Sequence, residues 1–200
     1  MKERPAFATE LSNCIQLLHS LGHSPATSTN YSFIDDQNNC WVSRSGIDKS
    51  ACVPTDFIQV DKNGLPLAAF KDTPASAETG IHCALYELFP NTKVILHSHD
   101  LYPVLFCHGK TSVSFDGFEL QKGFPGVQTH LINVTIPVIQ NSQDMEDIKR
   151  QLIERKDELG FQVFMIEKHG FYSWGTSLFE AKRILETFSY LCKTSWYLTH

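Results

Sequence analysis

Two hundred residues are enough for one domain with a sizeable core, and 42% hydrophobic with 20% charged side chains is the balance of an ordinary globular chain. A net charge of −5, with no local cluster of lysine and arginine, argues against a general nucleic-acid or membrane-surface binder. No apolar run approaches the roughly 20 residues of a spanning helix, and the opening MKERPAFATELSNC lacks the apolar core of a signal peptide, so the expected location is the cytoplasm.

In chain order, Leu11, Ile15, Leu18 and Leu21 recur at helical spacing over residues 7–21, with Gly22 as the stop. NYSFI and CWVS read as a hairpin across the turn-rich DDQNN, and FIQVDKNGLPLAAF as a second one turning at Lys62-Asn63-Gly64. Residues 75–88 read as a helix with Ile81, Leu85 and Leu88 on one stripe. Val94-Ile95-Leu96 is a buried strand, and DLYPVLFCHG a short helix limited at its start by Pro103. HLINVTIPVI is β-rich, and SQDMEDIKRQLIERKDEL is a helix with Ser142 as N-cap and acids in its first turn. FQVFMI and GFYSWG are partner strands. The chain closes on a long helix with Ile184, Leu185, Phe188, Leu191 and Cys192 on one face. With no repeat or linker, residues 1–200 read as one α/β domain of mixed strand order with helices on both faces of the sheet.

The chemistry concentrates at two strand ends. In VILHSHD, His97 and His99 are two apart, so at a strand's end both project from one side. In VFMIEKHG, His169 follows another apolar strand, and Gly170 permits a sharp turn that presents it. If the two ends lie together, three imidazoles and an open position describe a catalytic zinc site better than a closed structural one. Otherwise they are three loop residues. Glu78 in PASAETGIH and Glu119 in FDGFELQKG are the acids whose contexts stand out. TSTNYS, SRSG and TPASAE are hydroxyl-rich turns whose backbone N–H groups can cradle a phosphate, with Lys49 and Lys122 adding positive charge, or are simply common loops. The six cysteines are scattered without a C-x-x-C pair, which fits buried thiols and neither a disulfide framework nor a zinc knuckle. Cys107-His108 is not a nucleophile–base pair, because adjacent residues rarely face each other. His19, His23, His82, His130 and His200 read as ordinary surface or core residues. Phe171, Tyr172 and Trp174 read either as core or as the wall of an apolar pocket.

ASAETGIHCALYELFPNTKVILHSHD, FELQKG, IPVIQNSQD and EKHGFYSWG, in that order and at these intervals, resemble the class II aldolase/adducin family from about residue 10 to the C-terminus. The resemblance implies a three-layer, nine-stranded α/β/α sandwich with a central mixed, mainly antiparallel sheet. It also implies a homotetramer with active sites near subunit boundaries. It assigns His97, His99 and His169 to Zn2+, one ion per subunit, and makes Glu119 the catalytic acid/base. Glu78, in the substrate pocket, matches the position that serves as the acid in family aldolases. Asn30, Ser45, Gly46 and Ser76, with Lys49 and Lys122, are assigned to the substrate phosphate. The implied activity is that of a zinc-dependent lyase removing water from a phosphorylated five-carbon ketose with a methylthio group on C5, a step of methionine salvage. An aldolase or epimerase on another sugar phosphate, and a metal-free adducin-like binding module, are the alternatives. Two departures from the family pattern stand out. Thr29 replaces a glycine in TSTN, which puts one backbone phosphate contact in doubt, and Asp100 in HSHD adds a negative charge near the metal.

Overall fold

The computed structural model describes residues 4–199, so His200 lies outside the described residues. Eight strands form one sheet: β1 (Tyr31–Ile34), β2 (Cys40–Ser43), β3 (Phe57–Val60), β4 (Val94–Ser98), β5 (Ser112–Phe115), β6 (Val134–Ile139), β7 (Val163–Ile166) and β8 (Gly170–Gly175). Their spatial order is β3-β2-β1-β4-β8-β7-β6-β5, antiparallel throughout except for the parallel β6/β7 pair. One face carries α1 (Phe7–Ser20), α3 (Leu101–Cys107) and α5 (Leu178–Thr199). The other carries α2 (Thr79–Leu88) and α4 (Met145–Glu154).

The strands sort their side chains between these two layers. Val94 and Leu96 of β4 join the core under α1 and α5, while Ile95 joins the core under α2 and α4. Val163 and Met165 of β7 go one way and Phe164 and Ile166 the other. Strands covered on both faces need no polar alternation, which is why VIL and VFMI are continuous apolar runs. Helix α5 buries Ile184, Leu185, Phe188, Leu191 and Cys192 completely, at roughly 1.5–3 kcal/mol for each large apolar side chain. All six cysteines are free thiols. Among the described residues, no helix is long and apolar enough to cross a membrane.

Several expectations change. The sheet has eight strands among the described residues, not nine. The second hairpin turns as expected, with Gly64 at φ +80, but its return arm makes only an isolated bridge between Val60 and Pro66, because proline has no N–H to extend a ladder. Strand β5 adds to the expected elements: Ser112-Val113-Ser114-Phe115 alternates with period two and buries Val113 and Phe115. Leu21 lies past the end of α1 and is 58% exposed. The N-cap of α4 is Asp144, whose side chain accepts from the Glu146 N–H; the Ser142 hydroxyl accepts from the Asp144 N–H two residues earlier.

Helix α2 begins at Thr79, four residues later than the periodicity predicts. Pro74 and Ala75 instead pair with the segment after β2, through an Arg44–Ala75 bridge and a Ser45 N–H to Pro74 carbonyl bond of 3.0 Å. Ser76 and Glu78 therefore stand on a turn rather than inside a helix.

Candidate metal centre and substrate pocket

Strand β4 runs antiparallel to β8, with His97 opposite Tyr172 and Ser98 opposite Phe171. This pairing sets the end of β4 beside the start of β8 and brings His169 to His97 and His99. The ligand atoms of the three histidines lie within 4.8 Å of one another. His97 is fully buried, and its Nδ1 sits 2.9 Å from the Phe171 carbonyl. A carbonyl only accepts, so Nδ1 carries the proton and Nε2 keeps its lone pair for the centre. The Nε2 atoms of His97 and His99 converge to 2.8 Å.

Burial draws the His97 imidazole well below its ordinary pKa, with Glu78 opposing and the other two histidines reinforcing the shift. Burial and His169 draw His99 down to about 4. These two rings are neutral at physiological pH, the form a metal requires. Three imidazoles with one buried anchor fit a divalent metal ion and leave a coordination position open.

Glu78 closes one side of this centre. Its Oε1 is 2.8 Å from His169 Nε2, and its Oε2 is 3.4 Å from His97 Nε2. The same Oε2 accepts from Tyr172 Oη at 2.8 Å and from Asn30 Nδ2 at 2.5 Å. Burial opposes ionisation of Glu78, but the His169 and Tyr172 hydrogen bonds and neighbouring His97 outweigh it. Its pKa lies well below the usual carboxylate range.

Beside the centre is a pocket of about 230 Å³ lined by Thr27–Asn30, Arg44–Gly46, Ser76–Glu78 and His99. Pockets that enclose a whole small ligand measure roughly 300–1,000 Å³, so this one suits one end of a substrate. Its walls meet because β1 pairs with both β2 and β4: Asn30 precedes β1, Arg44 follows β2, and the Asn30 carbonyl accepts from the His97 N–H at 3.2 Å.

A family model described as the class II aldolase and adducin N-terminal domain matches residues 9–196. The chain belongs to this family. It is similar to methylthioribulose-1-phosphate dehydratases from Picosynechococcus sp. (44% identity over 180 residues, 88% of this chain and 85% of that protein) and Enterobacter sp. (35% over 188 residues, 92% and 90%). Among solved structures, YgbL from Escherichia coli superposes with a TM-score of 0.78 at 19% identity, covering 96% of this chain and 89% of that one. L-fuculose-1-phosphate aldolase from Thermus thermophilus gives 0.75 at 18%, covering 94% and 92%. At these identities the two structures speak for the class II aldolase fold alone.

In this class II aldolase-family chain, the residues singled out from sequence fall into three places. His97, His99, His169 and Glu78 form the centre, and Asn30, Ser45, Gly46 and Ser76 line the adjoining pocket. Lys49 lies behind that pocket: it is 1% exposed, and its Nζ donates to the carbonyls of Thr27 and Ile47 at 3.2 Å each. It braces two loops rather than lining the pocket. Glu119 and Lys122 lie elsewhere. Glu119 is 68% exposed, pairs with Lys122 at 2.5 Å and His130 at 3.4 Å, and lines a cavity with Phe118, Arg183 and Tyr190 that includes none of the three histidines.

Arg44 is the pocket cation that sequence reasoning missed, although it stands inside SRSG beside Ser45 and Gly46. Asp56 holds it with a 2.8 Å ion pair. Thr29 does adopt the left-handed backbone that a glycine would, at φ +72, and its Oγ1 bonds Ser24 Oγ at 3.0 Å and Tyr31 Oη at 3.1 Å. Asp100 is spent as the N-cap of α3, accepting from the Tyr102 N–H and from Ser189 Oγ. Cys107 is buried while the His108 side chain is 58% exposed and 3.8 Å from Glu167, so the two do not pair. Phe171 and Trp174 are core, on opposite faces of the sheet.

Proposed function

We propose that this chain is a methylthioribulose-1-phosphate dehydratase, a cytoplasmic zinc-dependent hydro-lyase of methionine salvage that works as a homotetramer. The observation that carries the reading is the shared wall of the two sites: His99 and Glu78 belong both to the histidine centre and to the small polar pocket. In 5-methylthioribulose 1-phosphate the phosphate is on C1 and the ketone on C2. An anion pocket directly beside a Lewis-acid centre matches that adjacency.

His97, His99 and His169 would hold the cation, which when bound lends Lewis acidity to the ketone and so acidifies the C3 proton. Asn30, Ser45, Gly46 and Ser76, with Arg44 beside them and Lys49 bracing the loops from behind, hold the phosphate and fix the reacting carbons. Glu119 takes the proton from C3 and returns it to the departing C4 hydroxyl, which leaves as water. The remaining enol tautomerises to 2,3-diketo-5-methylthiopentyl 1-phosphate. Within one chain Glu119 is turned toward Lys122 and His130, so in this reading it serves a histidine centre across a subunit boundary of the tetramer, where Lys122 accompanies it toward the substrate.

One observation favours a second reading, an aldolase cleaving C3–C4 of another sugar phosphate: Glu78, and not Glu119, touches the histidines. Incubation of the zinc-loaded protein with methylthioribulose 1-phosphate, followed by mass, separates the two. A product lighter by one water, lost with chelator and in Glu119→Gln, supports the dehydratase. Two smaller fragments would assign the aldolase, and an inert zinc-loaded protein would refute the substrate.

A further inference from the structure

His82 reads from sequence as an ordinary histidine, and the chemistry above does not use it. It is 1% exposed, and both ring nitrogens are engaged by side chains. Nδ1 is 2.6 Å from Ser32 Oγ, which is 2.8 Å from Tyr86 Oη; Nε2 makes a short hydrogen bond with Asn30 Oδ1. Asn30 Nδ2 then reaches Glu78 Oε2 at 2.5 Å and Ser76 Oγ at 3.2 Å.

Local periodicity builds this ladder. His82 and Tyr86 are four apart on one face of α2, and Glu78, the residue just before the helix, stands four residues ahead of His82 on the same side. Asn30 and Ser32 are two apart at the start of β1, and so share one strand face. The helix stripe and the strand face bond to each other alternately, and the last rung lies at the histidine centre.

The donors along the ladder are fixed by its end. A carboxylate accepts only, so Asn30 must present its NH₂ to Glu78 and its carbonyl oxygen to His82. His82 must therefore donate from Nε2 and, as a neutral imidazole, accept at Nδ1. Ser32 donates to that nitrogen and in turn accepts from Tyr86. Reversing the Asn30 amide would set its oxygen against the Glu78 carboxylate and remove a donor from Ser76, at the wall of the phosphate pocket.

We propose that His82 is a positioning residue: through its Nε2–H it locks the Asn30 amide, and through Asn30 it holds Glu78 against His97 and His169. Its catalytic consequence rests on the dehydratase reading, but its structural content does not.

Imidazole ¹⁵N shifts of His82 in the zinc-loaded protein test the structural part without substrate. The expected result is the neutral Nε2–H tautomer; Nδ1–H would leave two acceptors, His82 Nε2 and Asn30 Oδ1, facing each other and overturn the proposal. Turnover tests the consequence. His82→Leu should lower kcat/KM on the order of 10–100-fold, the range seen when a hydrogen-bond partner behind a metal centre is removed. His82→Gln, which returns an amide donor, should recover most of that loss. In an Asn30→Ala background, His82→Leu should cause no further loss, because its effect passes through the missing amide. Additive losses, or no rescue by glutamine, would make His82 merely structural and overturn the proposal. If His82→Leu does not fold, the tautomer and the glutamine variant still decide. If wild type does not turn over the ketose while His82 is Nε2–H, the substrate reading has failed and the positioning has not.

Discussion

Gly170→Ala should weaken metal binding about 10–100-fold with only a modest loss of fold stability. Gly170 opens β8 directly across from the end of β4, and its φ is not in the left-handed region; the positive φ of that turn falls on Lys168, at +55. Gly170 is needed for room. A Cβ built there would lie 2.7 Å from His99 Cδ2, 2.9 Å from His97 Cε1 and closer still to the Ser98 carbonyl oxygen. Carbon atoms rest at roughly 3.5–4.0 Å, so both rings are about an ångström too near. The Ser98 carbonyl belongs to β4, which is hydrogen-bonded to β1 and β8, so the backbone yields little and the rings must turn. Overpacking of this kind typically destabilises by about 1–3 kcal/mol. A functional site tolerates only about 0.5 Å of displacement, so zinc affinity should fall by about 10–100-fold. Competition with a chelator of known affinity measures the second effect, and thermal unfolding of the metal-free protein the first. Gly160→Ala is the control: a Cβ there meets nothing within 4 Å, and both quantities should stay near wild type. Wild-type zinc affinity and unchanged unfolding in Gly170→Ala would refute the account of how the two strand ends hold the histidines.

Glu119→Gln should retain zinc and lose ~10²–10⁴-fold in kcat, whereas His97→Ala should lose both; zinc content by elemental analysis beside turnover checks the pair. Stability should depend on pH through His82, whose pKa burial lowers from 6.5 to about 4. Between those values the unfolded chain binds a proton that the folded chain refuses. Stability from this residue is therefore fully present above pH 6.5 and declines as pH falls toward 4, by up to about 3 kcal/mol. Denaturant melts across that window should show a flatter decline in His82→Gln, and parallel curves would contradict the assignment. Thr29→Val keeps the left-handed backbone but deletes the hydroxyl bonds to Ser24 and Tyr31, and should destabilise by about 2 kcal/mol; Thr29→Gly also loses them but relieves about 1–2 kcal/mol of backbone strain, so its change should be smaller. Urea titration ranks the two, and the opposite order would show that the strain is not where φ +72 places it. Saturating zinc at a hundred times its Kd should raise unfolding stability by about 2.7 kcal/mol, and chelator should remove it.

Properties local to a few residues were legible in the chain itself. The stripe of α5, the apolar runs of β4 and β7, the β1/β2 hairpin and the His97/His99 pair all follow from periods of 3.6 and 2, which the backbone imposes whatever surrounds it. The ordered motifs from ASAETGIH to EKHGFYSWG carried the resemblance to a family to which the chain does belong. Decisions that depend on distant pairing were not legible. That β4 lies antiparallel to β8, bringing His169 to a pair of histidines some seventy residues earlier, is a choice among strand orders that local pattern does not make. Helix α2 starts late because Pro74 and Ala75 find partners beyond β2, and no helical propensity could have revealed that competition. Arg44 became a pocket residue, Lys49 a brace and His82 part of a ladder for the same reason: a polar side chain's role is set by what faces it once buried, and burial is decided only when the sheet closes over it.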